Sequence, residues 1–403
     1  MRVQFEKRKP ANNLNRMNQA ISKKFGIPPP NFSSFTDAFE YLSKQDIDII
    51  VLDEFSYLIR YSDALAEFQT IIDETLADSN ILLIVLGSSY SIMKRGLLEY
   101  SSPIYGRSDL LINLQPLGLL DIMRWYPGLS LEDVVRVHGC CGGVPRYLEI
   151  ISGQDDIKKE IEVVLLDPNS FLFREGRELL EEEFDDPATY FSILEAVSMG
   201  STRVTEIGNH AFLEPKNTAK YLKILTEMGI LKREFSYLMN KKRGIYRFRD
   251  PYFSIWFRFV SRYFEDIEAG FDKEARSRFV RDFNMYMGYH LESAMVELVP
   301  MVVPFEVTSG GRWWKGDAEI DHVIEGRSDI CFIEFKWGQP DTKAVKDIFT
   351  ELEEISRMFR NRRKRVHHLL IARDVKGKMK VEGKSQRVVT LSEIEMIVRK
   401  GSN

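Results

Sequence analysis

Two apolar runs near the beginning of the chain give the first expectation. Asp48-Ile49-Ile50-Val51-Leu52-Asp53-Glu54 and Ile81-Leu82-Leu83-Ile84-Val85-Leu86 show no polar alternation, which is how strands buried in a parallel sheet read. A helical stretch separates them, so the order predicts a βαβ unit. Ahead of the first run, helices are predicted over Asn12 to Phe25, stopped by Gly26 and Pro28-Pro29-Pro30, and over Ser34 to Ser43. Leu110 to Leu114 reads as a further short strand, and Leu117 to about Ser152 as helical.

The pattern then shifts. An acidic stretch from Glu178 to Pro187 reads as a solvated helix end or linker and marks a boundary. Three short helices follow at Tyr190 to Met199, Val204 to Ala211 and Pro215 to Met228, the last with proline in its first turn. Two β-like segments, Leu231 to Tyr237 and Gly244 to Phe248, flank Asn240-Lys241-Lys242-Arg243. Three helices and a hairpin are the order of a winged helix. Beyond an aromatic helix at Pro251 to Tyr263, helices are predicted at Phe283 to Val299 and Lys343 to Arg360, and strands at Ala318 to Ile324, Ile330 to Lys336 and Val366 to Ala372.

With 403 residues, the chain exceeds what one ordinary core organises, and several domains are expected. A hydrophobic content of 44% with 29% charged residues predicts globular domains with a well-solvated exterior. No apolar run approaches the ~18 residues of a membrane span, and no secretory leader opens the chain. A cytoplasmic protein with no membrane partner is expected. Cys140, Cys141 and Cys331 form no paired framework and read as buried thiols. The net charge of −4 argues against general coating of nucleic acid, but Lys216 to Arg249 holds ten Lys/Arg against Glu227 and Glu234. That local excess suits phosphate contact. Asn217, Thr218, Lys220 and Lys223 would lie on or beside the third helix, facing a DNA groove, with Lys241, Lys242 and Arg243 at the hairpin tip. A scaffold role with a solvated basic hairpin is the alternative.

The first apolar run delivers Asp53-Glu54 at its carboxyl end, one carboxylate for Mg²⁺ and the next for orienting water. An ordinary strand terminus has the same look. The second run ends in Gly87-Ser88-Ser89, where Ser88 would touch a phosphate or the attacking water. Arg107 and Arg146 would stabilise transition-state charge. Asp53-Glu54-Phe55-Ser56-Tyr57-Leu58, Gly87-Ser88-Ser89, Pro103-Ile104-Tyr105-Gly106-Arg107 and Gly142-Gly143-Val144-Pro145-Arg146-Tyr147-Leu148 occur in that order. The series resembles archaeal ATPases of the AAA-like, STAND-related P-loop group. No stretch matches the phosphate-cradling G-x-x-x-x-G-K-[ST] loop. The resemblance puts that loop before Val3, so ATP binding by this chain is expected to be weak or absent, unless an upstream reading frame supplies the loop.

Near the carboxyl end, Asp321 precedes Glu334-Phe335-Lys336. Alternation along a strand puts Glu334 and Lys336 on one face. Two carboxylates for Mg²⁺ and a lysine for developing charge are what metal-assisted phosphodiester hydrolysis needs. A surface salt-bridge face is the plainer reading. His290, His322, His367 and His368 have no zinc-like spacing and read as packed or solvated side chains. The D-x(n)-(D/E)-x-K pattern is similar to the restriction-endonuclease-like, PD-(D/E)XK superfamily, with Ile320 where proline is frequent. That resemblance implies that Glu292, in Gly288-Tyr289-His290-Leu291-Glu292, is a third acid. The archaeal ATPases commonly carry such a domain, with motifs like Gly311-Arg312-Trp313-Trp314, Glu319-Ile320-Asp321 and Glu334-Phe335-Lys336-Trp337.

The expectation is therefore an α/β chain with a truncated P-loop NTPase-type parallel sheet at 1–115, a helical lid and linker at 116–187, a winged helix at 188–265 and a nuclease-like α/β domain at 266–403. Catalytic roles fall to Glu292, Asp321, Glu334, Lys336 and Glu54, and nucleotide contacts to Asp53, Ser88, Arg107 and Arg146. DNA is the expected partner, and a homo-oligomer is left open. A non-catalytic DNA-binding or regulatory protein is the alternative.

Overall fold

The computed structural model describes residues 1–88, 90–154, 156–184, 186–238, 244–359, 364–377 and 385–401. They form two compact units that divide between Leu114 and Gln115. In the first unit, β1 (Arg2–Gln4), β2 (Ile49–Asp53) and β3 (Leu82–Val85) make a parallel sheet in the order β1-β2-β3. Arg2 pairs with Val51, and Ile50 with Leu83. The helix Pro10–Phe25 ends at Gly26 with φ +66°, and Ser34 Oγ accepts from the Asp37 amide to start the helix Phe35–Leu42. These elements close over an aromatic core in which Phe68 meets Phe35 at 5.2 Å and Phe55 at 5.0 Å between ring centroids.

Three sequence expectations need correction in this region. β3 is an edge strand, and none of its residues is fully buried, because it has a neighbour on one side only. Leu110 to Leu114 forms no strand. Its apolar content is real, but no sheet edge among the described residues pairs with it. The stretch from Leu117 to Ser152 is three helices, Leu119–Trp125, Leu131–Cys141 and Pro145–Leu148, not one. Pro127-Gly128 and Gly142-Gly143 interrupt them.

The second unit continues through Ile157–Leu166 and Phe171–Glu183 to the helices Pro187–Ser198, Val204–His210 and Pro215–Glu227. An antiparallel ribbon of β4 (Leu231–Glu234) and β5 (Ile245–Phe248) follows, with Leu231 opposite Phe248. Asp250 caps the helix Pro251–Phe259 by accepting from the Tyr252 amide at 2.8 Å. From that helix, Trp256 Nε1 donates to Phe173 O at 2.8 Å, so a buried indole is satisfied by backbone.

The long helix Lys273–Ala294 begins well before the predicted Phe283. Its charged first turns hide the buried series Ala275, Phe279, Phe283 at helical spacing. A five-stranded sheet then forms in the order β10-β9-β8-β7-β6. Its strands are β6 (Ser309–Lys315), β7 (Ala318–Glu325), β8 (Asp329–Lys336), β9 (Arg365–Ala372) and β10 (Gln386–Thr390). β6, β7 and β8 form an antiparallel meander, and β8, β9 and β10 run parallel. The helix Thr342–Ser356 spans the β8 to β9 crossover and packs Phe349 and Leu352 with Phe332 and Leu370. On the opposite face of β8, Ile333 and Phe335 join the larger core that holds Phe283 and Leu291. β6, β10 and the helix Leu391–Gly401 have no counterpart in the sequence reading. Among the described residues no helix is long and apolar enough to cross a membrane, and the three cysteines are buried and free.

Gly143 adopts φ +78°, and a Cβ there would lie 2.0 Å from the Leu117 carbonyl oxygen. Leu117 N donates back to Gly143 O at 2.9 Å, so both strain and clash oppose a side chain. Gly143→Ala is expected to destabilise the protein by more than about 1 kcal/mol, read as a lower midpoint in urea unfolding.

Candidate functional site

In the first unit, β2 ends on Asp53 and the chain turns sharply. Glu54 has φ 55°, a left-handed conformation that costs a non-glycine residue about 1–3 kcal/mol and clusters at functional sites. Local bonds hold it there. The Glu54 amide donates to Asp53 Oδ1 at 3.0 Å, and Glu54 Oε2 accepts from Ser88 Oγ at 2.9 Å. Asp53 also pairs with Arg2 on β1. Thus Asp53, Glu54 and Ser88 meet at the carboxyl ends of β2 and β3, while Ser89 lies outside the described residues.

The two predicted arginines are engaged elsewhere. Arg107 makes two 2.7 Å bonds to the Asp73 carboxylate and a third to Pro103 O at 2.8 Å. Arg146 belongs to the second unit, where it pairs with Glu149 at 3.1 Å and lies over the Phe171 ring.

In the second unit, the carboxylates and the lysine converge from three elements. Asp321 is on β7, Glu334 and Lys336 are on the adjacent β8, and Glu292 is near the end of the long helix. Asp321 Oδ2 accepts from the Phe335 amide at 3.0 Å, which locks the two strands together at this point. Lys336 Nζ reaches Glu334 Oε1 at 2.6 Å. Burial, then Asp321, pushes the Glu334 carboxyl up to about 7. Burial, then Asp321, also raises Glu292, although Arg312 acts in the opposite sense. Burial opposes the charged form of Lys336, but the neighbouring acids outweigh it and hold the ammonium above its ordinary value.

Arg312, on β6, is the residue that sequence reasoning left without a role. Its guanidinium pairs with Glu292 and Glu319 and comes within 3.9 Å of Asp321. Arg247, on β5, adds a second cation 3.7 Å from Glu292. The only hint was that Gly311-Arg312-Trp313-Trp314 directly precedes the acids. Among the described residues no group of three or more His, Cys, Asp or Glu side chains is arranged to hold a metal ion. The donor chemistry nevertheless suits a hard divalent cation, since carboxylate oxygens from adjacent strands are the ligands such ions prefer. Glu292 is committed to arginines, which leaves Asp321 and Glu334 as the pair able to accept it. The histidines are engaged within the protein. His290 bonds His138 at 2.9 Å, His367 bonds Asp329 at 2.8 Å, and burial holds His322 down at about 4.

A cavity of about 660 Å³ adjoins this cluster, lined by Glu292, Asp321 and Arg312 together with Lys232, Glu234 and Arg247 of the ribbon. This geometry revises the basic segment. Lys232 pairs with Glu234 at 2.6 Å and Arg247 faces Glu292, so part of the local positive charge is neutralised internally. Asn217 and Lys220 are exposed on the helix Pro215–Glu227, as is Lys223, which comes within 3.9 Å of Glu227. Thr218, expected on a groove-facing surface, is instead fully buried and donates to Glu214 O, because it points into the bundle. Lys241, Lys242 and Arg243 lie outside the described residues.

Residues 3–151 match a family described as "ATPase domain predominantly from Archaea". Residues 256–348 match DUF234, "Archaea bacterial proteins of unknown function". The chain is 33% identical over 323 residues to the uncharacterized protein MJECL04 of Methanocaldococcus jannaschii, covering 77% of this chain and 72% of that one. Among solved structures, that of the Aeropyrum pernix Orc1 protein in complex with DNA aligns over 66% of this chain and 78% of its own, at 15% identity and a TM-score of 0.27. A likeness that remote carries no argument.

The raised Glu334 carboxyl fixes a pH dependence. Between about 4.5 and 7 the native state holds a proton that the unfolded chain has released, so this group's contribution to stability falls as pH rises through that window. Denaturant titrations of Glu334→Gln and the parent should therefore diverge in favour of the variant from pH 5 to pH 8. A difference independent of pH would contradict this assignment.

Proposed function

This chain belongs to the family of the Methanocaldococcus jannaschii relative, an archaeal ATPase domain followed by a DUF234 domain, and from that premise we propose that it binds DNA and hydrolyses phosphodiester bonds with Mg²⁺. The observation that carries the reading is the convergence of Asp321, Glu334 and Lys336 on two adjacent strands with Glu292 beside them. In this reading the five-stranded sheet is a nuclease-like domain of the PD-(D/E)XK kind. Asp321 and Glu334 hold the cation, which when bound would supply Lewis-acid polarisation of the phosphate and a more acidic water. Lys336 donates to a non-bridging oxygen as negative charge develops. Arg312 keeps Glu292 oriented and steers the anionic backbone toward the acids.

The helices Pro187–Ser198, Val204–His210 and Pro215–Glu227 with the β4–β5 ribbon act as a winged helix. Exposed Asn217, Lys220 and Lys223 contact the duplex, together with Lys241, Lys242 and Arg243 if the tip serves as a wing. Nucleotide contact in the first unit would fall to Asp53, Glu54 and Ser88, whose clustering supports the ATPase reading. Arg107 and Arg146 already have carboxylate partners, which speaks against a part for them in that state.

A second reading is a non-catalytic DNA-binding or regulatory protein. It is favoured by Arg312, which supplies to Glu292 and Glu319 the positive charge that a metal would otherwise bring.

Incubation of the full chain with end-labelled DNA and Mg²⁺ or Mn²⁺ separates the two. The hydrolytic reading expects cleavage that Asp321→Ala abolishes and Lys336→Gln slows by about 100-fold or more. Cleavage that survives Asp321→Ala removes the proposed role of that residue, and no cleavage by the parent favours the second reading. In parallel, Lys220→Ala with Lys223→Ala should weaken duplex binding and lower the salt slope by roughly 0.9 for each phosphate no longer neutralised, measured by fluorescence anisotropy.

A further inference from the structure

The cavity beside the acids has dimensions that select among forms of nucleic acid. Its volume of about 660 Å³ corresponds to a sphere roughly 11 Å across, too narrow for a B-form duplex, whose major groove alone is ~12 Å wide. Cavities of about 300–1,000 Å³ enclose ligands of small-molecule size. One or two nucleotides enter such a space, and a double helix does not.

The lining has the chemistry of a single-strand site. Arg258 lines the cavity from the helix Pro251–Phe259, and its Nη1 donates to Ser198 O at 3.3 Å. A partly buried guanidinium makes strong, charge-assisted hydrogen bonds to anionic oxygens. Arg249 also lines the cavity, with one guanidinium nitrogen donating to Gln115 at 2.8 Å. Tyr289 also lines the cavity and is 61% exposed, three residues before Glu292 on the long helix. That spacing puts ring and carboxylate on one helix face. An exposed ring next to cations is how proteins hold unpaired bases, by stacking on one side and backbone contact on the other.

We propose that this cavity receives one or two nucleotides of a single strand, with a phosphate on Arg258 and a base against Tyr289. The strand thereby presents its backbone to Glu292 and Asp321, a consequence that rests on the hydrolytic reading above. Duplex contact remains on the exposed face of the helix Pro215–Glu227, outside the cavity.

The test is anisotropy of the full chain with a fluorescein-labelled 12-nucleotide single strand, and with the blunt duplex of the same sequence, in EDTA so that cleavage plays no part. The single strand is expected to bind through a site that Tyr289→Ala and Arg258→Gln each weaken by about tenfold, with duplex binding changed less than twofold. Tyr289→Ala alters an exposed ring, so its effect does not depend on a risk of misfolding, and far-ultraviolet dichroism checks both variants. Equal loss of single-strand and duplex binding, no effect of either variant, or full displacement of the strand by deoxymononucleotide at comparable concentration overturns the proposal. Selective single-strand binding in a protein that cleaves nothing upholds it while sinking the hydrolytic reading. Cleavage of blunt duplex without the selective loss does the reverse.

Discussion

Carboxylates brought face to face at the end of a sheet repel one another, and the second unit tolerates them only because cations are threaded between them. Arg312 joins Glu292 to Glu319, Arg247 approaches Glu292 from the ribbon, and Lys336 closes on Glu334. Each charge loses hydration on burial, and an uncompensated one would be strongly destabilising. Burial, and after it the neighbouring Asp321, still make Glu292 and Glu334 hold protons more tightly than ordinary carboxylates. The contact of Arg247 with Glu292 also ties the β4–β5 ribbon to the long helix.

The first unit manages a smaller conflict in a different way. Glu54 is forced into left-handed backbone where β2 ends, and the Ser88 hydroxyl from the end of β3 holds its carboxylate. Two neighbouring parallel strands thus fix the position of one acid. Its strain is tolerated because the strands pair in register and the Phe35, Phe55 and Phe68 cluster anchors the turn from below.

Local patterns were readable wherever a segment's neighbours in space are also its neighbours in sequence. The helices at Val204 and Pro215, the two ribbon strands, β7 and β8 follow from helical or strand periodicity and from proline and glycine punctuation, whereas β2, with distant partners, is legible as an uninterrupted apolar run. Leu110 to Leu114 looked like a strand because apolar content cannot report whether an edge is available. β6 was missed because Gly310-Gly311-Arg312 has no alternation of its own, and partnership with β7 makes it a strand. The first turns of the helix at Lys273 were hidden for a related reason: charged residues on its exposed face mask a buried stripe.

For the candidate site, the sequence by itself determined which groups are present: Asp321, Glu334 and Lys336 at strand spacing, Asp53 and Glu54 at a strand end, and a segment rich in cations. Only the tertiary structure decided what those groups face. It buried Thr218, turned Arg247 and Lys232 inward, gave Arg107 to Asp73 and set Arg312 among the acids. The physical reason is that a side chain's chemistry is covalent and local, whereas its charge state and partners depend on burial and on atoms tens of residues away. No spacing rule along one chain contains that information.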